Sequence, residues 1–225
     1  MSAASVLLVP GSWHGAWCYE AVADRLEKAG VAVTAIDLPS NDGVSGLDDD
    51  AAGIRAALED IDQPAVVVGH SYGGIAVSEG AAGATNAVGL VYLAAFMLDK
   101  GESLVDAMQH QLPDWIAVDE AAGNHIARRS EEVLYGDCPP EVAADAAARL
   151  SPQSVAAIAT PQTHAAWQSL PSTYLICDED RAVPPPVQEA MSARATNVRR
   201  VHASHSPFLS RPDDVADVVL EALAR

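Results

Sequence analysis

Val66-Val67-Val68-Gly69-His70-Ser71-Tyr72-Gly73-Gly74-Ile75-Ala76-Val77 is the stretch whose reading decides the fold. A β-branched apolar run suits a buried strand, the glycines break it, and the small apolar residues after Gly74 fit a helix. Strand, sharp turn and helix follow one another within a dozen residues. The turn holds Gly-x-Ser-x-Gly at Gly69, Ser71 and Gly73, the pattern of a nucleophile elbow in the context that gives it meaning. A plain glycine-rich turn would match the bare motif; the apolar strand before it and the helical pattern after it favour the elbow. Small flanking residues let the chain pass close to a strained serine, which is lifted off the sheet edge.

Outward from that turn the chain alternates. Ser5 to Val9 reads as a buried strand ended by Pro10 and Gly11, and the loop Gly11-Ser12-Trp13-His14-Gly15-Ala16-Trp17 leads into a helix from Cys18 to Lys28 closed by Gly30. Val31 to Ile36 is a second strand. The run Asp48-Asp49-Asp50 opens an amphipathic helix to Ile61 and reads as a solvated, dipole-compatible helix start, not a metal site. Ala65 to Val68 and Ala87 to Ala95 are the third and fourth strands. After an interruption come a strand at Ser172 to Cys177, a helix at Pro185 to Arg194, a strand at Val198 to Val201 and a helix at Pro212 to Ala224. Such alternation implies right-handed βαβ units and a mainly parallel α/β sheet of about six strands flanked by helices.

The interruption, residues 98–170, follows the fourth strand and is expected to be a lid of helical pieces, among them Pro140 to Leu150. Its Trp115, Trp167 and Met108, with Met97 just before it, offer apolar surface for a substrate pocket or for packing against the body. The whole chain of 225 residues, 49% hydrophobic, is expected to form one domain around one sizeable core.

With 13 basic and 31 acidic side chains the formal net charge is −18, which makes nucleic acid and anionic membranes poor partners and small neutral molecules better ones. Cys18, Cys138 and Cys177 lack metal-ligand or redox spacing and read as free, core-packed thiols. Residues 1–9 lack a basic n-region, and the apolar run from Ala87 to Leu98 is shorter than a membrane span of about 20 residues, so a cytoplasmic location is expected. No phosphate loop, dinucleotide fingerprint or zinc spacing points to a metal or other cofactor.

Loops at the carboxyl ends of parallel strands gather on one edge, so several should converge on Ser71. A serine hydroxyl needs a base, and a histidine base needs a carboxylate that fixes its tautomer. Asp178, Glu179 and Asp180 follow the fifth strand; His202 and His205 follow the sixth. The order serine, acid, histidine is that of this architecture.

On these residues the chain resembles the α/β-hydrolase superfamily, and within it the small serine esterases that include plant methylesterases, hydroxynitrile lyases and bacterial pyrethroid-hydrolase-like esterases. The landmarks are Gly11 to Trp17, Asp37-Leu38-Pro39, Gly69 to Gly74, Asp180 ahead of Val183-Pro184, and His205 ahead of Phe208 to Pro212. The resemblance implies Ser71 as nucleophile, His205 as general base and later acid, and Asp180 as its orienting carboxylate. It implies the amides of Ser12 and Tyr72 as the oxyanion hole, and a pocket near Trp13, His14, Met97, Trp115 and Trp167. His14 is expected to brace the oxyanion loop; His70, His110, His125, His164 and His202 are expected to be structural or exposed.

The implied activity is carboxylic-ester hydrolysis through an acyl-enzyme, with a possible homodimer as the assembly. Thioester, lactone or C–C hydrolysis would use the same residues, and a ligand-binding receptor of this fold would bind without turnover. Two departures matter. The resembling lyases carry threonine where Gly11 stands and lysine where Ser206 stands, so lyase activity is not expected; Ser71 in place of aspartate excludes the dehalogenase chemistry of the same fold.

Overall fold

The computed structural model describes residues 4–225. Six strands form one parallel sheet: β1 (Ser5–Val9), β2 (Ala32–Ala35), β3 (Ala65–His70), β4 (Ala87–Leu93), β8 (Ser172–Cys177) and β9 (Asn197–Val201), in the order β2-β1-β3-β4-β8-β9. The order reverses at β1, so helices cover both faces. One layer holds α1 (Glu20–Lys28), reached through a short 3-10 turn at Ala16–Tyr19, and α10 (Pro212–Leu223); the other holds α2 (Leu47–Glu59), α3 (Gly73–Gly80) and α8 (Pro185–Ser192).

The strand sequences account for this double cover. Leu7, Val9 and Val67 face the α2–α3 side, whereas Val6, Leu8, Val66 and Val68 face α1 and α10. Side chains alternate along a strand, so a run that is apolar at every position is the signature of a strand buried on both faces.

Between β4 and β8 lie α4 (Leu104–Ala107), β5 (Ile116–Asp119), β6 (Asn124–Ala127), α5 (Ser130–Val133), α6 (Pro140–Ala148), β7 (Gln153–Ser154) and α7 (Val155–Ala159). Helical pieces are present as the sequence suggests, and a three-stranded antiparallel sheet, β5-β6-β7, is added to them. Its hairpin turns because the Asp119 carboxylate accepts the amides of Ala121 and Ala122, both at 3.0 Å, and Gly123 takes φ 69°. A last short helix, α9 (Pro207–Ser210), packs behind the loop after β9. No helix among the described residues is long and apolar enough to cross a membrane.

One acidic residue departs from the sequence expectation. Asp48 and Asp49 are exposed at the start of α2, but Asp50 is fully buried. It sits on the helix face of Leu47, Ala51, Ile54 and Leu58, at a spacing that points inward. There its carboxylate accepts the Ser40 amide at 2.8 Å and the Tyr72 hydroxyl at 2.6 Å. Burial raises its pKa against the opposing effect of those bonds. Asp50 therefore ties α2 to the residue that follows Ser71.

The end of the insertion is strapped to the elbow helix by a second buried carboxylate. Glu79 accepts the Thr163 hydroxyl (2.6 Å) and the Thr163 and His164 amides (2.7 and 2.8 Å), and pairs with His164 Nδ1 at 2.8 Å. Burial pushes this carboxyl up, and the bonds from His164 and Thr163 outweigh it, leaving the pKa below its usual range. A depressed pKa gives stability that is complete above the ordinary glutamate value of about 4.3 and lost as pH falls through the folded-state value. The urea midpoint of the wild type should accordingly exceed that of Glu79→Gln at neutral pH, and the gap should close as the pH falls below about 4.3. A gap that stays constant over that range would remove Glu79 ionisation from the strap.

The cysteines are free: Cys18 and Cys177 are buried and Cys138 is partly so. Burial raises all three thiols, Cys138 to about 12, so they stay protonated and unreactive.

Candidate active site

Ser71 follows directly on β3 with φ 52°, a left-handed conformation that a serine adopts only when its surroundings enforce it. The enforcement is visible at the glycines. A Cβ on Gly69 would lie 2.6 Å from the Gly73 carbonyl oxygen, and one on Gly73 would lie 2.4 Å from that of Pro10. Backbone occupies the space on both sides of the turn, so the motif spacing is steric. Ser71 O accepts the amides of Gly74 (3.0 Å) and Phe96 (3.1 Å), and Ser71 N donates to Leu93 O at 3.2 Å, which locks the turn to β4.

Gly11 has the same explanation. A Cβ there would stand 2.8 Å from both Ser71 Cβ and His70 Nδ1. The threonine of the resembling lyases would not fit at this position without moving the elbow.

The loops after β8 and β9 bring the acid and the histidine to the same edge. His205 Nδ1 donates to Asp180 Oδ2 at 2.7 Å, and both side chains are buried. That bond leaves the proton on Nδ1 and a free lone pair on Nε2. Asp180 accepts from further donors: the Ala182 and Val183 amides bond Oδ1 at 2.7 and 2.9 Å, and Gln188 Nε2 bonds Oδ2 at 2.9 Å. Gln188 is itself clamped, accepting from Cys177 N at 2.9 Å and donating to Val183 O at 2.7 Å. Sequence reading passed over Gln188; its place four residues after Val183-Pro184, on the first turns of α8, is the signal that could have found it.

Neighbouring candidates separate cleanly. Asp178 pairs with Arg200 at the surface (2.9 Å) and Glu179 with His202 (3.2 Å), so neither reaches His205. His70 is buried and donates from Nε2 to the His205 carbonyl at 2.8 Å, with the two rings 4.5 Å apart, fixing the backbone that carries His205. His110 lies exposed beside Asp106.

The Ser12 and Tyr72 amides are not taken up by other backbone carbonyls, and both flank Ser71. His14 braces the first of them. Its Nδ1 donates to Ser12 O and its Nε2 accepts from the Tyr135 hydroxyl, each at 2.8 Å. Burial lowers the His14 pKa to about 4, so it acts as an uncharged strut between the loop after β1 and the insertion.

Ser71, His205 and Ser12 open onto one cavity closed from above by the insertion. The cavity is narrow in this conformation, with a volume of about 20 Å³. No hydrogen bond joins Ser71 to His205 in this conformation; such contacts tighten when substrate binds. The walls are Trp13 and Phe96 from the body and Leu104, Met108, Leu112 and Trp115 from the insertion.

Of the residues expected to line a pocket, Trp13 and Trp115 do, meeting edge to face with ring centroids 5.9 Å apart. Three do not. His14 is turned away as a strut. Met97 points into the core beside β4, where its neighbour Phe96 takes the cavity side. Trp167 donates its indole N–H to Leu98 O at 2.7 Å, lies under the Arg194 guanidinium and packs against the core, away from the cavity lining. In the other direction, His125 is buried on the cavity wall and is neither exposed nor bonded through its ring.

The comparisons with known proteins bear on the family and the fold. The model of the alpha/beta hydrolase family matches residues 6–218. The chain is 34% identical to the alpha/beta hydrolase nvfD of Aspergillus novofumigatus over 97% of its own length and 96% of that protein. It is 28% identical to Methylesterase 7 of Arabidopsis thaliana over 96% and 94% of the two chains. The crystal structure of a pyrethroid hydrolase from Sphingobium faniae superposes with a TM-score of 0.83 at 24% identity, covering 98% and 97% of the two chains. With the family model spanning nearly all of it and the elbow, sheet order and loop positions in place, the chain belongs to the alpha/beta hydrolase family.

Proposed function

We propose that the protein is a serine carboxylesterase acting on small, neutral, largely apolar esters. The observation that carries the reading is the His205–Asp180 pair at 2.7 Å on the same cavity as Ser71, which stands at φ 52° on the elbow. The similarity to a plant methylesterase supports ester chemistry, and the apolar walls support an uncharged substrate.

Ser71 Oγ attacks the ester carbonyl while His205 Nε2 takes its proton. The imidazolium so formed keeps its Nδ1 proton on Asp180, whose charge stabilises it. The carbonyl oxygen becomes an oxyanion between the Ser12 and Tyr72 amides; one such donor typically contributes about 100 to 1000-fold in rate. His205 returns the proton to the leaving alcohol, and a water activated by the same nitrogen releases the acid from Ser71. His14 and Asp50 act through other groups: His14 holds the Ser12 peptide and Asp50 holds Tyr72.

A fluorophosphonate should label the protein with one adduct, located on Ser71 by mass spectrometry of the modified peptide, alongside turnover of short p-nitrophenyl esters. Folded protein that gives neither adduct nor turnover would refute the reading.

A further inference from the structure

His125 projects from β6 in the insertion, opposite Val118 of β5 and Gln153 of β7. It is 1% exposed and lies on the wall of the cavity that holds Ser71 and His205. Neither ring nitrogen has a hydrogen-bond partner among the described residues. Gln153 directs its amide N–H to Ser40 Oγ at 3.0 Å, and its own Oε1 is also left unpaired, so the two side chains do not satisfy one another. The only bond at this residue that reaches Trp13 runs from the indole N–H to the His125 carbonyl, at 3.1 Å, and needs no imidazole.

The ring packs edge to face on Trp13, with centroids 5.4 Å apart. Phenylalanine or leucine would fill that space without the cost of desolvating two polar nitrogens. A buried polar group without a partner calls for an explanation, and this ring belongs to the lining of the cavity. Burial lowers the imidazole pKa to about 4, so the ring on the cavity wall is uncharged, with one N–H donor and one acceptor nitrogen. Such a group pairs with a hydroxyl or carbonyl oxygen, and without a positive charge it forms no ion pair with a carboxylate, which the acidic surface would also repel.

We propose that His125 is a specificity-determining residue of this cavity, selecting ligands that carry a hydroxyl or carbonyl oxygen on an otherwise apolar group seated beneath the insertion. The proposal rests on the assignment of the cavity as the substrate site. Around His125 the walls are Trp13, Trp115 and Ile116, which suit a flat or aromatic group. A site that hydrogen-bonds a ligand oxygen discriminates sharply against the analogue lacking it, because the site's polar group is then left buried and unpaired.

Phenol and toluene differ by this one oxygen at nearly equal shape, and neither is an ester, so their binding can be read without turnover. Dissociation constants for both would be measured on the wild type, His125→Leu and His125→Gln, with long-range ¹H–¹⁵N spectra of the imidazole rings of the wild type. The preference for phenol over toluene should be about tenfold or more greater in the wild type than in His125→Leu. The glutamine variant should keep part of that preference, and phenol, unlike toluene, should shift the His125 ring nitrogens.

Equal preference in wild type and His125→Leu, or a phenol response confined to His205, overturns the proposal. The imidazole spectra decide the matter even if His125→Leu does not fold. Selective phenol binding at His125 by a protein that forms no fluorophosphonate adduct would uphold this inference and remove the esterase reading.

Discussion

Ser71→Ala should lower kcat by roughly 10⁵ to 10⁶-fold while leaving the fold and the affinity for non-reacting ligands unchanged. The size of the loss follows from the absence of any second nucleophile at the elbow. Tyr72 is buried with its hydroxyl bonded to Asp50, and His70 directs Nε2 to the His205 carbonyl. The stability forecast follows from the backbone. Ser71 is held at φ 52° by main-chain bonds to Leu93, Gly74 and Phe96, none of which involves its hydroxyl. Alanine inherits the same strain and the same bonds, so the unfolding free energy should change by no more than about 1 kcal/mol. Hydrolysis within tenfold of the wild-type rate, after contamination by wild-type protein is excluded, would remove Ser71 from the mechanism.

The elbow was legible in the sequence because its constraints are local and steric. Gly69 and Gly73 each face a carbonyl oxygen at a distance no Cβ tolerates, and a requirement of that kind leaves its mark on residue type. The sheet was legible for a similar reason, since strands covered on both faces must be apolar at every position. The acid was identified through the Val183-Pro184 ending of its loop, and the structure places Asp180 against His205 and Asp178 on Arg200.

Other features left weaker marks. Strands β5 and β6 are short, partly exposed and contain Ala, Asp and Asn, so neither propensity nor alternation distinguished them from loop. Met97 and Phe96 differ by one position after β4 ends, and a one-residue shift exchanges core for cavity. Asp50 was grouped with its acidic neighbours, although the spacing from Leu47 to Ile54 already placed it on the buried stripe. His125 carried no signal for the cavity: a lone histidine in a four-residue strand between Asn124 and Ile126 reads as structural or exposed, and only the structure places it on the cavity wall.

The second large effect is expected at Asp180, where Asp180→Asn should cost roughly 10⁴-fold in kcat, whereas Asp178→Asn should leave the rate near that of the wild type. The argument is one of donors and acceptors. Asp180 Oδ1 accepts two amides and Oδ2 accepts Gln188 and His205, so the carboxylate is surrounded by N–H groups on every side. An asparagine can satisfy the Ala182 and Val183 amides with its oxygen only by presenting its NH₂ to Gln188 and His205. Facing that NH₂, His205 is stable only with its lone pair on Nδ1 and its proton on Nε2, which is the nitrogen that must accept the Ser71 proton. The shape of the site survives and its tautomer is inverted. Asp178 lies in a different setting, half-exposed in an ion pair with Arg200, and such a pair contributes about 0 to 1 kcal/mol to stability and nothing to the imidazole. Measuring both variants on one p-nitrophenyl ester separates the two carboxylates; a larger loss at Asp178 than at Asp180 would overturn the assignment and place the orienting charge outside the cavity wall.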